Sequence, residues 1–308
     1  MTKKIKVSSI IILCLACSLL AAIYFHHTNI AVLNPKGPVA RSERNLMIIV
    51  FLMSLIIVIP VFVATIAICM RYRETNKHAK YTPNWDHGRK IEMAWWILPS
   101  ILIAVLSVIT WRSTQALAPS KALVSKNPTM IIQVVALDWR WLFIYPKQNI
   151  ATINYVAFPK QTPVDFEITA DAPMNSFWIP QLGGQIYAMA GMTTNLNLMA
   201  SEPGNFRGLS ANISGDGFSG MDFMAHATSE SNFERWVLAM HNAKQSLTTQ
   251  AYDSLTKPSE NNAVGSYAGV QPYLFSSIQM KYMMPTTTAS TSAQTTSSMD
   301  SMPSMDMQ

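Results

Sequence analysis

The chain has 308 residues, 49% hydrophobic against 13% charged, with 12 Gly and 17 Pro; a soluble domain carries about 25% charged residues, so disorder and collagen-like structure are excluded for its bulk. The formal charge of +6 suggests an anionic partner until it is divided. Residues 1–111 hold 12 Lys and Arg against 4 Asp and Glu, and residues 112–308 hold 11 against 13. The basicity therefore belongs to an apolar first third, and no nucleic-acid partner is predicted. Cys14, Cys17 and Cys69 all lie in apolar runs, which excludes a disulfide framework.

Residues 1–28 combine Lys3, Lys4 and Lys6 with an uncharged stretch from Val7 to Phe25. These features fit a cleaved signal peptide and a retained anchor equally. A charge-free run over 45–70 is long enough to span a bilayer, tilted or bent near Pro60. A second run over 93–111 is bounded by Trp95, Trp96 and Trp111, in the manner of an interfacial belt, with Pro99 disturbing its start. Between them, loop 71–92 carries six basic against three acidic residues. The positive-inside rule puts this loop in the cytoplasm and all that follows Arg112 on the other side.

Beyond Thr129 the pattern turns to strands: Thr129–Leu137, running into the aromatic cluster Asp138–Pro146, then Thr152–Phe158, Val164–Thr169, Ser176–Ile179 and Asn195–Ala200, punctuated by Pro and Gly. With no helical crossovers between them, an all-β sandwich over 125–228 is expected. A helical arm over 229–284 follows. There Ser231–Glu234 reads as a capping box, and Phe233, Trp236, Val237 and Met240 share one face. A weaker helix is expected around Leu274–Tyr282. Residues 285–308, rich in Ser, Thr and Met, read as a disordered tail.

Several strings, in order and spacing, carry a family resemblance: Leu33-Asn-Pro-Lys-Gly37, Lys80-Tyr-Thr-Pro-Asn-Trp85, Trp139-Arg-Trp141, Met174-Asn-Ser-Phe177, Gln185-Ile-Tyr-Ala-Met-Ala-Gly191 and Ser214-Gly-Asp-Gly-Phe-Ser-Gly-Met221. They resemble subunit II of the haem-copper respiratory oxidases. The resemblance implies a membrane-anchored chain whose two-helix hairpin precedes a cupredoxin-like Greek-key sandwich. In cytochrome c oxidases that sandwich holds a two-copper centre, with ligands from a His and from a C-x-E-x-C-G-x-x-H-x-x-M segment. Aligned on that pattern, Asn175 stands at the first His, Ser210 and Ser214 at the cysteines, Asn212 at the glutamate, Phe218 at the later histidine, and Met221 alone is retained. Neutral hydroxyls do not replace bridging thiolates, so no metal is expected in this chain.

Ligand loss within a preserved frame is similar to subunit II of the bo-type ubiquinol oxidases. That resemblance implies a bacterial inner-membrane complex with a periplasmic C-terminal domain. It places haems and copper in a partner subunit I and makes ubiquinol the reductant of the complex. Many members carry an acylated cysteine after the signal; Thr28 stands near that place here. The resemblance also implies a proton-uptake role for Glu92, which by itself reads as an interfacial charge balancing Arg89 and Lys90. Trp139 and Trp141 stand at the family's electron-accepting aromatic cluster, where without copper they read as packing residues. Asp171, Glu202, Asp216 and Asp222 read as solvated loop carboxylates, and His226 and His241 as surface histidines. A reading from another class is a membrane-tethered cupredoxin-like copper-delivery or assembly module, using the thioethers of Met299, Met302, Met305 and Met307.

Overall fold

The computed structural model describes residues 30–76 and 88–283, together with Leu20 and Ala79. The expectations for the signal-like segment, for Lys80–Trp85 and for the Met-rich tail fall outside these residues.

Helix α1 covers Pro38–Arg71, longer at both ends than its apolar run, and is continuous through Pro60. Gly37 is its N-cap and Pro38 occupies the first turn, where a missing N–H costs nothing. Helix α2 covers Arg89–Ala116 and runs through Pro99. Ala40 is the single buried residue of α1, and α2 has none. Phe62, Trp96 and Trp111 are exposed within this chain. Such length and exposure fit a lipid or protein surround, not water.

Among the described residues, eleven strands, β1 Met130–Leu137, β2 Arg140–Tyr145, β3 Ile150–Ile153, β4 Tyr155–Pro159, β5 Val164–Ala170, β6 Asn175–Trp178, β7 Ile186–Ala188, β8 Thr194–Leu198, β9 Gly204–Ser210, β10 Asp222–Thr228 and β11 Gly265–Tyr267, form two sheets. One has the order β11-β3-β2-β1-β5-β8 and the other β4-β10-β9-β6-β7. The β1/β5 and β4/β10 pairs are parallel, yet no helix crosses between them, because the chain changes sheets instead. The expected strand Thr152–Phe158 is in fact two. Asn154 takes φ 54°, a left-handed conformation that Asn tolerates, so β3 and β4 enter opposite sheets. Its side chain secures the corner by accepting from the Trp141 N–H at 2.8 Å and donating to Asn262 O at 2.9 Å.

Between the sheets, Trp141, Phe143, Phe166 and Phe177 pack with Phe223; Phe177 stacks on Phe223 at 5.0 Å and meets Trp141 edge-on at 5.3 Å. Side chains alternate along β1 and β2. Val134, Ala136, Trp141 and Phe143 point into this core, while Val135, Leu137, Leu142 and Ile144 point outward under a second apolar layer. The near-continuous apolar runs of β1 and β2 thus reflect burial on both faces.

The outer cover is the C-terminal arm, built of helices α3 Glu230–Met240, α4 Thr249–Leu255 and α5 Leu274–Met283. It also contains a short strand, because β11 pairs with β3 and extends the edge of the first sheet. Leu247, Tyr252, Leu274, Phe275 and Ile278 cover Leu142 and Ile144. Helix α3 is capped by Ser229, whose side chain accepts from the Asn232 N–H, two residues before the expected box. The helix begins there because β10 ends at Thr228 and the chain turns directly out of the sheet. Phe233 is buried and Trp236, Val237 and Met240 pack on the main core.

Candidate functional site

Strands β6 and β9 are neighbours in the second sheet, and their ends bring Asn175 and Ser210 together. Ser210 Oγ donates to Asn175 Oδ1 at 2.8 Å, in a buried contact. Asn175 Nδ2 in turn donates to Pro173 O at 2.9 Å. The Ser210 N–H donates to Met221 O at 3.1 Å and the Ala211 N–H to Ser176 O at 3.0 Å, which ties the β9–β10 loop to β6. Met221 is buried at the start of β10. Asn212 closes over the pair: its backbone O lies 3.2 Å from Ser210 Oγ and its Nδ2 donates to Met174 O at 2.8 Å.

Ser214 and Phe218 lie farther along this loop, Phe218 within a 3-10 turn spanning Asp216–Gly220. Ser214 Oγ is buried without a hydrogen-bond partner among the described residues. Trp139, at φ 52°, lies over the loop with its Nε1 3.4 Å from Ser214 O. A Cβ at Gly215 or Gly217 would sit 2.7 or 2.5 Å from the indole, so this close approach requires glycine. Ser210 is therefore bonded to Asn175 through its side chain and to Met221 through its backbone, its hydroxyl also lies 3.2 Å from Asn212 O, and Ser214 is held against Trp139. The cluster offers neutral oxygens and one thioether. Among the described residues, no group of three or more His, Cys, Asp or Glu is placed to hold a metal ion.

Glu92 lies in the first turn of α2, and its Oε1 accepts from the Gly88 N–H at 3.2 Å. A carboxylate there also complements the positive end of the helix dipole. Trp141 is enclosed in the core, with its Nε1 lacking a hydrogen-bond partner among the described residues. His226 Nδ1 contacts Asn205 Oδ1 while its ring stacks on Tyr155, and His241 ends α3.

Of the four carboxylates, Asp171 departs from the solvated reading, whereas Asp216 is exposed and Glu202 and Asp222 lie at the surface. Glu202 pairs with Lys36, and Asp222 with Arg207 at 3.1 Å. Asp171 is a buried node: its side chain is 1% exposed and accepts from Lys281 Nζ at 2.7 Å. Tyr252 OH donates to it at 2.7 Å, and Tyr282 OH donates as well. All three donors belong to the arm. Burial first, and then the bond to Asp171, hold the Tyr252 and Tyr282 hydroxyls above the usual phenol range. That same carboxylate holds the Lys281 ammonium above its usual range. Burial, followed by the Asp171 charge, raises Asp138. The Asp171-Ala-Pro173 turn gave a punctuation signal in the sequence but none for burial, because the partners lie 81 to 111 positions downstream.

The COX Aromatic Rich Motif family matches residues 241–286, most of the arm. Cytochrome bo(3) ubiquinol oxidase subunit 2 of Pseudomonas aeruginosa is 51% identical over 265 residues, 86% of this chain and 80% of that protein. The chain belongs to the quinol oxidase subunit 2 family. Ubiquinol oxidase subunit 2 of Acetobacter aceti is 47% identical over 82% of each, and quinol oxidase subunit 2 of Bacillus cereus is 37% identical over 74% of this chain and 79% of that protein. The periplasmic domain of cytochrome oxidase subunit II from Bradyrhizobium japonicum aligns with a TM-score of 0.36 and 16% identity, over 44% of this chain and 99% of that one. As a quinol oxidase subunit 2, the chain joins two helices long and apolar enough to cross a membrane to a two-sheet β-sandwich.

Proposed function

We propose that this chain is the copper-free, non-catalytic subunit of a terminal oxidase that oxidises ubiquinol, reduces oxygen to water and translocates protons. The haems and copper of that chemistry belong to subunit I in this reading. The observation that carries it is the 2.8 Å bond between Ser210 Oγ and Asn175 Oδ1. At two positions where the copper-bearing pattern needs a thiolate and an imidazole, neutral side chains satisfy each other. A bridged copper pair requires soft, anionic sulfur; hydroxyl and amide oxygens with a single thioether do not fit it. No electron step is therefore assigned to these residues, and Trp139 and Trp141 act in packing.

The work left to the chain is structural. Its two spans pack on subunit I, consistent with the exposed apolar side chains of α1 and α2, and its sandwich covers that subunit from the periplasmic side of the inner membrane. The basic loop between the spans supports this orientation. Glu92, held at the start of α2 by the Gly88 N–H, is the proposed proton-uptake carboxylate, since an acidic group at the membrane edge can pass protons from water to a buried polar chain.

Detergent extraction of native membranes should bring the chain out in stoichiometric complex with a haem protein. The full chain produced alone and given cupric salt should stay colourless. Purification by itself with a purple or blue copper band would overturn the reading and favour a copper-delivery module. Glu92→Gln should slow oxygen consumption without loss of assembly. Unchanged turnover across pH would leave Glu92 a helix-capping charge.

A further inference from the structure

The external ends of the two spans and the underside of the sandwich enclose a cavity of about 300 Å³, walled by Val39, Glu43, Leu117, Lys121, Leu196 and Asn197 among others. Its walls come from four separate stretches of this one chain: the first turns of α1, the link after α2, the 184–185 loop and β8. It is thus a formed hollow, not a flat face awaiting a partner, and its volume is at the lower end for small-molecule sites.

Its depth relative to the membrane follows from the sequence. Glu43 lies two residues before the charge-free run that begins at Asn45, and Leu117 lies six residues beyond Trp111. Both are at the level where lipid headgroups meet water. Below it, an open and mostly apolar face of α2 runs past Ile103, Leu106, Thr110, Trp111 and Thr114. These positions follow the three- and four-residue spacing of one helix face, which leads on to Leu117 and Ala118 at the cavity wall.

The polar groups are of opposite sign. Glu43 is half-buried, and among the described residues its one hydrogen bond is from the Gly184 N–H to Oε1 at 3.0 Å. A half-buried carboxylate supported by a single amide is stabilised by a cation. Lys121 stands on another wall as an exposed ammonium, suited to a phosphate as a point charge.

We propose that this cavity is a binding site for a zwitterionic aminophospholipid. Its primary amine sits against Glu43, its phosphate near Lys121, and one acyl chain lies along the exposed apolar face of α2. The site rests on the membrane-anchored architecture and is independent of the copper-free, non-catalytic reading.

The test uses the intact oxidase complex, extracted in detergent, partly delipidated, and incubated with phosphatidylethanolamine or phosphatidylglycerol before native mass spectrometry and lipid extraction. Wild type should retain phosphatidylethanolamine in preference to phosphatidylglycerol. Glu43→Gln and Lys121→Ala should each weaken that retention about tenfold, the loss of one charge-assisted hydrogen bond. Lys121 is exposed, so the second variant keeps the test decisive if the first assembles poorly. Equal retention of the two lipids, or unchanged retention in Lys121→Ala, would overturn the site. So would a lipid-free cavity whose variants loosen subunit I instead, since the occupant would then be a partner side chain. The readout is bound lipid, so an inactive complex leaves the result standing.

Discussion

Two polar clusters of the sandwich solve opposite problems. Around Ser210 the groups are neutral, lie close in space on adjacent strands, and satisfy one another with Asn175 and backbone carbonyls. Around Asp171 a full charge is buried, and every side-chain donor to it comes from the C-terminal arm. The first cluster needs only the sandwich to be complete, whereas the second is complete only when the arm is docked. The difference shows where this domain holds its electrostatic stake: in the attachment of the arm, not in the Ser210–Asn175 pair.

The sharpest way to break the contrast is Asp171→Ala. It removes the acceptor of three donors and leaves the Tyr252 hydroxyl buried without its partner, so a loss of about 3 kcal/mol is expected, read as thermal unfolding of the full chain and as early proteolysis within 241–283. Tyr252→Phe takes one donor from the same carboxylate and should cost about 2 kcal/mol, the value of a hydrogen bond to a charged group. Ser210→Ala should cost about 1 kcal/mol and leave the arm's protease resistance unchanged. A Ser210→Ala loss as large as that of Asp171→Ala would erase the distinction between the clusters. Lys281→Ala is the smallest, within about 1 kcal/mol, because the Lys281 side chain is 56% exposed.

The same node predicts an alkaline weakness. Tyr252 and Lys281 both have folded-state pKa values raised above ordinary values of 10.0 and 10.5. A group whose folded pKa is raised contributes stability that is complete below its unfolded pKa and is lost as pH climbs toward the folded one. Arm docking should therefore be insensitive to pH through neutrality and weaken above about pH 10, as followed by hydrogen exchange in β2, and Tyr252→Phe should flatten part of that loss.

Much of the architecture was legible because it depends on local patterns. The spans announce themselves by length without charge, and β1, β5 and β8 by β-branched alternation. Strand β9 escaped because Gly204-Asn-Phe-Arg-Gly-Leu-Ser210 buries only alternate residues and carries Gly and Arg. The break at Asn154 escaped because a left-handed residue inside an apolar run leaves no change in hydrophobicity. At the proposed site, the side chains standing at the copper pattern's positions could be read one by one from the sequence. The burial of Asp171 could not, since a loop acid looks solvated until a segment some hundred residues later closes over it.

The connection between membrane and sandwich has a mechanical consequence. The Lys36 N–H donates to Gln181 O at 2.7 Å, the Ala40 N–H to Leu182 O at 3.1 Å, and the Ser201 N–H to Lys36 O at 2.8 Å, while the Asn197 N–H takes Pro119 O at 2.9 Å on the return strand. A Cβ at Gly37 would stand 2.5 Å from Met199 O, so the backbone there is seated directly against the domain. With both crossing points clamped there is no swivel, and the sandwich moves as a rigid lever on its helices. A few degrees of helix tilt becomes a displacement that grows with distance along the lever and is greatest at its far rim.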